Sequence, residues 1–243
     1  MAILVTNDDG YSEGLKVLYE VAQKFGKSYA IIPDRQQSAV SKSLTLHKAL
    51  RLHKLHDRGH NIHTINGTPA DCVLFSVYSK EFPKPILVLS GINYGDNTSL
   101  GAILSSGTLA ACWEATLEGI PSIGFSIHKP ESKWKMKNSW GDLEKMRDKI
   151  HHIIKMLKNK HAKDSFFSVS LPFTFSDKTK IVFTNKVQRN RFKTSILKRR
   201  DPYGGPYYWL CGDFSNAEKG KDLYEVAVKK NIVITKVSLD FVK

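Results

Sequence analysis

Ile3-Leu4-Val5-Thr6-Asn7-Asp8-Asp9-Gly10 opens the chain with an apolar run that ends on two carboxylates and a glycine. Ala2 to Val5 are apolar without a break, so period-2 alternation is missing. That pattern suits a strand covered on both faces, as in a parallel sheet. From Tyr11 the spacing becomes helical: Leu15, Leu18, Tyr19, Ala22 and Phe25 share one face. Asp8 and Asp9 therefore stand where a central strand hands over to a helix. In open α/β sheets ligands bind beyond the carboxyl ends of the strands. Adjacent acids repel unless a cation or proton intervenes, so the pair is suited to a divalent metal. A helix-capping aspartate with an exposed neighbour explains the same residues. The stretch alone leaves both readings open, and Gly10 permits a tight turn in either.

The rest of the chain repeats the theme. Ser28 to Ile32 reads as a second strand, stopped by Pro33, and a strand-helix-strand of this length implies parallel pairing. A polar loop from Asp34 to Ser43 leaves the same sheet edge as Asp8. Leu44–His56 and Asn61–Ile65, separated by Asp57-Arg58-Gly59, read as an antiparallel ribbon. Thr68, Pro69 and Asp71 make a helix start, with cap, first-turn proline and acid in order. Ile86 to Leu89 is a further central strand. Its exit, Ser90-Gly91-Ile92-Asn93-Tyr94-Gly95-Asp96-Asn97, reads as a ligand loop or as ordinary turn residues. In the first case the Asn93 amide oxygen suits a hard cation and Asn97 an anion. Ser105-Ser106-Gly107-Thr108 leads a helix to Leu117, either as a phosphate cradle or as plain capping within a small-residue helix beginning near Ala102. Ile120–Ile127 and Phe166–Leu171 read as strands, and Leu143–Leu157 as an amphipathic helix. Trp134 and Trp140 are expected to pack on a neighbouring helix rather than cover a base.

After Ile181–Thr184 the texture turns basic from Lys186 to Arg200. A turn at Asp201–Pro206 and the aromatic run Tyr207-Tyr208-Trp209-Leu210 follow. We read this as a projecting hairpin arm, of the kind that exchanges between subunits. Cations interleaved with aromatics also suit nucleic acid, and a solvated charged face accounts for them equally well. A short helix from Asp222 and a strand from Ile232 close the chain.

Bulk properties bound these readings. At 243 residues and 41% hydrophobic, the chain can bury a full core and is not composed like a disordered protein. No run of about 18 apolar residues suggests a membrane span, and the opening strand lacks the basic start of a secretory signal. Cys72, Cys112 and Cys211 are widely spaced, so buried free thiols in a reducing cytoplasm are expected. The formal charge of +14 favours anionic partners. No Gly-x-x-x-x-Gly-Lys-Ser/Thr loop supports ATP-driven chemistry. Nor is there an Asp-x-Asp pattern for a phospho-aspartate.

Five separated pieces together resemble one family: Ile3 to Tyr11, Pro33 to Ala39, Gly67 to Val73, Ser90 to Asn97, and Ser106-Gly107-Thr108. The order and spacing are similar to the stationary-phase survival protein E family of metal-dependent 5'/3'-nucleotidases. The match runs through about residue 127 and returns at Asp201-Pro202 and Pro206 to Trp209. The resemblance implies a Rossmann-like three-layer α/β domain with a mostly parallel sheet, plus a smaller C-terminal extension. We accordingly divide the chain into 1–180, with its core at 1–127, and 181–243, which holds the arm and the closing strand. It implies one Mg²⁺ or Mn²⁺ per subunit on Asp8, Asp9, Ser38 and Asn93, with Asp8 and Asp9 catalytic. Asn7, Asn97, Ser106, Gly107 and Thr108 are expected at the phosphate. The implied substrates are nucleoside monophosphates and short polyphosphate, and the implied assembly is a homodimer or homotetramer. Neither nucleic acid nor a membrane is an expected partner. Ser41, Ser105 and Tyr224 depart from residues common in such relatives, and the terminal helix that many of them carry is not expected after the last strand.

Overall fold

The computed structural model describes residues 2–56, 59–95, 97–133, 140–160 and 164–239. In chain order the elements are β1 (Ala2–Thr6), α1 (Glu13–Gln23), β2 (Ser28–Pro33), β3 (Leu52–Lys54), β4 (Ile62–Ile65), α2 (Pro69–Tyr78) and β5 (Pro85–Tyr94). They continue with α3 (Leu100–Ser105), α4 (Gly107–Leu117), β6 (Ser122–Ile127), α5 (Arg147–Leu157), β7 (Ser165–Leu171) and β8 (Ile181–Phe183). The last are β9 (Phe192–Arg200), β10 (Pro206–Phe214), α6 (Asp222–Ala227) and β11 (Ile232–Ser238).

Nine strands form one sheet in the order β3-β4-β2-β1-β5-β6-β7-β11-β8. The run from β4 to β7 is parallel throughout. Successive residues of β1 feed opposite cores. Ile3 and Val5 pack toward α1 and α5, while Leu4 packs toward α2 and α4. Three layers result, and the unbroken apolar run of β1 follows from its coverage on both faces. From β1 the chain winds outward through β2 and β4, then returns to the other side of β1 with β5. The order reverses between β1 and β5, which makes their carboxyl ends the topological switch point of the sheet.

Local chemistry explains the element boundaries. Ser12 caps α1, its hydroxyl accepting from the Leu15 N–H at 3.3 Å. Thr68 and Asp71 form a reciprocal capping box on α2: the Thr68 N–H donates to Asp71 Oδ2 at 2.8 Å and the Asp71 N–H to Thr68 Oγ1 at 3.2 Å. Pro69 occupies the first turn.

Several expectations are corrected. The ribbon is short, with β3 alone pairing antiparallel to β4. Residues 44–50 are irregular because side chains, not a neighbouring strand, satisfy the local backbone. Asp71 Oδ1 accepts from the Thr45 N–H, and Asn66 Nδ2 donates to the Ala49 carbonyl at 3.2 Å. The expected loop after Leu89 is strand as far as Tyr94, with a register shift against β6 between Ser90 and Asn93. The small-residue helix divides at Ser106, whose extended backbone ends α3 and caps α4. The amphipathic helix starts as a 3-10 turn over Leu143–Met146. Cys72 and Cys112 are buried free thiols, but Cys211 lies exposed on the arm. Trp140 packs on Gly14 of α1 and beside the Tyr94 ring, at 4.7 Å between centroids. Asp57, Arg58, Asp96 and Trp134 lie outside the described residues.

Among the described residues β9 and β10 pair only with each other, and they form the arm. Asp201 closes its turn, accepting from the N–H groups of Tyr203 and Gly205. All of β9 and most of β10 are exposed. β8 and β11, which follow residue 180, join the large sheet. Among the described residues no helix is long and apolar enough to cross a membrane.

Candidate active site at the switch point

β1 ends at Thr6 and delivers Asp8 and Asp9 into the crevice between β1 and β5. Gly10 turns the chain there with φ +73°, a conformation that favours glycine. Asn7 holds this turn from inside. Its Nδ2 donates to the Gly10 carbonyl at 2.6 Å and to Ser12 Oγ at 3.3 Å. Asn7 is fully buried and its Oδ1 has no hydrogen-bond partner.

Asp8 is 4% exposed. Its Oδ1 accepts a very short hydrogen bond from the Thr108 hydroxyl at the start of α4, and its backbone carbonyl accepts from the Gln37 N–H at 2.8 Å. Burial, reinforced by the like charge of Asp9, pushes the Asp8 carboxyl up to about 7. The hydroxyl and backbone N–H of Thr108 act in the opposite sense. Asp9 is half-buried, and burial raises its carboxyl as well. Its Oδ2 accepts from the Tyr94 N–H at 3.0 Å and its Oδ1 from Gln36 Nε2 at 3.1 Å.

These carboxylates line one cleft of about 530 Å³, together with Ser38, Asn93, Asn97 and Ser106. Asn93 Nδ2 donates to the Gly95 carbonyl at 2.6 Å, which leaves Oδ1 as the acceptor end of that amide. Asn97 is 6% exposed, and its Nδ2 is buried with no hydrogen-bond partner. A buried donor left unmade is costly, and this one belongs to a cleft residue.

Of the expected residues, Asp8, Asp9, Ser38, Asn93, Asn97 and Ser106 converge on the cleft. Asn7, Gly107 and Thr108 sit behind it. A Cβ on Gly107 would lie 2.8 Å from Asp8 Cβ and 2.8 Å from the Gln37 carbonyl oxygen, so only glycine lets α4 approach Asp8 this closely. Ser106 caps α4 by accepting from the Leu109 N–H at 3.1 Å. The start of α4 thus serves Asp8 first and the cleft second.

Ser41 holds φ +53°, pinned by its N–H to the Ser105 carbonyl at 3.1 Å and its hydroxyl to the Leu104 carbonyl at 2.7 Å. A non-glycine residue there keeps the loop in a glycine-like shape. Sequence reasoning missed Gln36, although it stands two positions from Ser38. It also missed Asn190, Arg191, Phe192 and Thr194, which line the cleft from the root of the arm. No motif marked these four, because a contact between the arm and the β5 exit has no local signature.

Among the described residues, no three His, Cys, Asp or Glu side chains gather as a metal site. A cation in this cleft would find two carboxylates and neutral oxygens among the lining residues. Hard ions such as Mg²⁺ and Mn²⁺ accept that set, whereas Zn²⁺ favours nitrogen and sulfur.

The model of the family described as Survival protein SurE matches residues 3–194. The chain belongs to the SurE family. The 5'-nucleotidase SurE of Thermofilum pendens is 36% identical, over 98% of this chain and 91% of its own length. That of Pyrobaculum arsenaticum is also 36% identical, over 99% and 90%. The crystal structure of the SurE protein from Aquifex aeolicus superposes with a TM-score of 0.80 at 32% identity, covering 99% of this chain and 94% of the other. The three-layer α/β domain with its C-terminal extension is therefore the SurE fold.

Proposed function

We propose that this SurE-family hydrolase cleaves nucleoside monophosphates to nucleoside and phosphate in a divalent-metal-dependent reaction. One observation carries the reading. Two raised carboxylates from the β1 exit and an amide oxygen from the β5 exit meet a buried, unsatisfied amide donor in a single cleft.

Asp8, Asp9, Ser38 Oγ and Asn93 Oδ1 would hold the metal. When bound, Mg²⁺ or Mn²⁺ supplies positive charge to the phosphoryl oxygens and lowers the pKa of a coordinated water. The chain's own residues do the rest. Asp8 orients the attacking water and takes its proton, while Thr108 fixes the carboxylate by hydrogen bonding. Asp9 is tied to Tyr94 N–H and Gln36, which keeps it still as a ligand. Asn97 Nδ2 and Ser106 donate to the phosphate, and fixed donors of this kind stabilise charge as it develops. Gly107 and Asn7 support this arrangement, one by admitting α4 and the other by shaping the turn.

We extend the proposal to 3'-nucleotides and short polyphosphate as secondary substrates. We further propose a homodimer or homotetramer held by the exposed arm, and a cytoplasmic setting in keeping with the buried free thiols. The test is phosphate release from 5'- and 3'-nucleotides and from tripolyphosphate, in chelator and with each metal restored. Release should need the cation and vanish in Asp8→Asn and Asp9→Asn. Undiminished turnover in chelator, or in both variants, overturns the proposal.

A further inference from the structure

We infer that the root of the arm is the nucleoside side of the cleft, with Phe192 as the face on which the base stacks. This rests on the nucleotidase reading and names how that site selects its substrate. Asn190, Arg191, Phe192 and Thr194 line the cleft that also holds Asp8 and Asp9. The phosphate end contains carboxylates, amides, hydroxyls and Tyr94, while Phe192 is the aromatic residue that the arm adds to the lining.

Phe192 is 41% exposed, and its ring has packing partners within the arm. It is paired across the arm with Phe214, ring centroids 4.8 Å apart. The Arg191 guanidinium lies 4.5 Å from the Phe214 centroid and 5.8 Å from that of Phe192. The Phe214 ring and the Arg191 guanidinium are among the groups that brace Phe192, and part of its surface remains exposed in the cleft. A braced, partly open ring is a stacking platform, and stacking tolerates any base because every base has a π-face.

The platform is also fixed relative to the phosphate end. Leu100 N–H donates to the Gln188 carbonyl at 2.7 Å and Gly101 N–H to the Arg189 carbonyl at 3.0 Å. Gln188 is 2% exposed, and its Nε2 reaches the carbonyls of Asn190 at 2.9 Å and Asn216 at 3.2 Å. Buried Asp222 accepts from the N–H groups of both Ser99, at 2.6 Å, and Gln188, at 2.8 Å. The segment following Asn97 and the segment preceding Phe192 are therefore bound to the same carboxylate.

The experiment compares AMP with ribose 5-phosphate, which carries the same phosphoester and sugar but no base. It uses the full chain with Mg²⁺ or Mn²⁺ and the variants Phe192→Ala, Phe192→Leu and Phe192→Trp. Wild type should prefer AMP, and Phe192→Ala should cut that preference about tenfold, chiefly through KM. Phe192→Leu keeps apolar bulk at the root and should lose the preference too, whereas Phe192→Trp should keep it. Equal losses on both substrates, or a preference unchanged in Phe192→Ala and Phe192→Leu, overturns the inference and leaves the nucleotidase reading standing. If wild type hydrolyses neither compound with either metal, the nucleotidase reading itself fails, and this inference with it.

Discussion

Replacing Asp8 with asparagine should make the metal-free protein more stable while abolishing its activity. Asp8 is buried beside Asp9, and its carboxyl rises from 3.8 to about 7. At about 1.4 kcal/mol per pH unit, that corresponds to about 4 kcal/mol of preference for the neutral form. The sign follows from proton counting. Between pH 4 and 7 the folded state holds the Asp8 proton and the unfolded state has released it. Stability in chelator therefore falls as pH rises through this window, and the loss is complete above about 7. Asparagine keeps an acceptor for the Thr108 hydroxyl and has no charge to bury. At pH 8 in chelator, Asp8→Asn should gain up to about 4 kcal/mol, or roughly 8–15 °C in Tm for a chain this size. Thermal unfolding at pH 5 and pH 8, with and without Mn²⁺, reads the effect. Wild type should regain stability with Mn²⁺ at pH 8, and the variant should not. A variant less stable than wild type in chelator at pH 8, or one that keeps the wild-type slope with pH, refutes the reasoning.

Gly107→Ala puts a methyl group 2.8 Å from Asp8 Cβ. It should cost about 1–3 kcal/mol by overpacking and depress kcat, read by denaturant unfolding and phosphate release. Thr108→Val removes a hydrogen bond that lowers the Asp8 pKa. The acid limb of the pH–rate profile should move upward and kcat/KM should fall about 10–100-fold, with Thr108→Ser restoring both; an unmoved limb counts against Thr108 as the residue that fixes Asp8. Deleting residues 193–213, nearly all of the arm, should reduce the mass measured by light scattering, and an unchanged mass would count against arm-mediated assembly.

The central strands and both switch-point carboxylates were legible because burial on two faces leaves an uninterrupted apolar run. Ile3 to Val5 and Leu87 to Leu89 carry that signature directly. The start of α2 was legible because its cap, first-turn proline and acid lie within four residues, while the reciprocal bond from the Thr68 N–H to Asp71 emerged only in the structure. Residues 44–50 were misread as strand because Leu44 and Leu46 alternate with polar neighbours, yet Leu46 is 87% exposed. Side chains remote in sequence, Asp71 and Asn66, took over the hydrogen bonding there. The roles of Thr108 and Gly107 behind Asp8 depend on how closely α4 approaches β1, a distance no local pattern encodes. The arm itself was readable from charge and turn chemistry, but its root as a wall of the cleft was not.

Asp222 sits more than two hundred residues downstream of the paired acids, on a helix that touches no substrate in our reading. A chain cut just before it would retain every proposed metal ligand, Ser38 and Asn93 included. Such a fragment would nonetheless lose the brace shared by Ser99 and Gln188, along with the β11 seam to β7. The tail is in this sense a keystone: shortened homologues that preserve only the opening motifs should grip phosphate weakly and discriminate poorly among its esters.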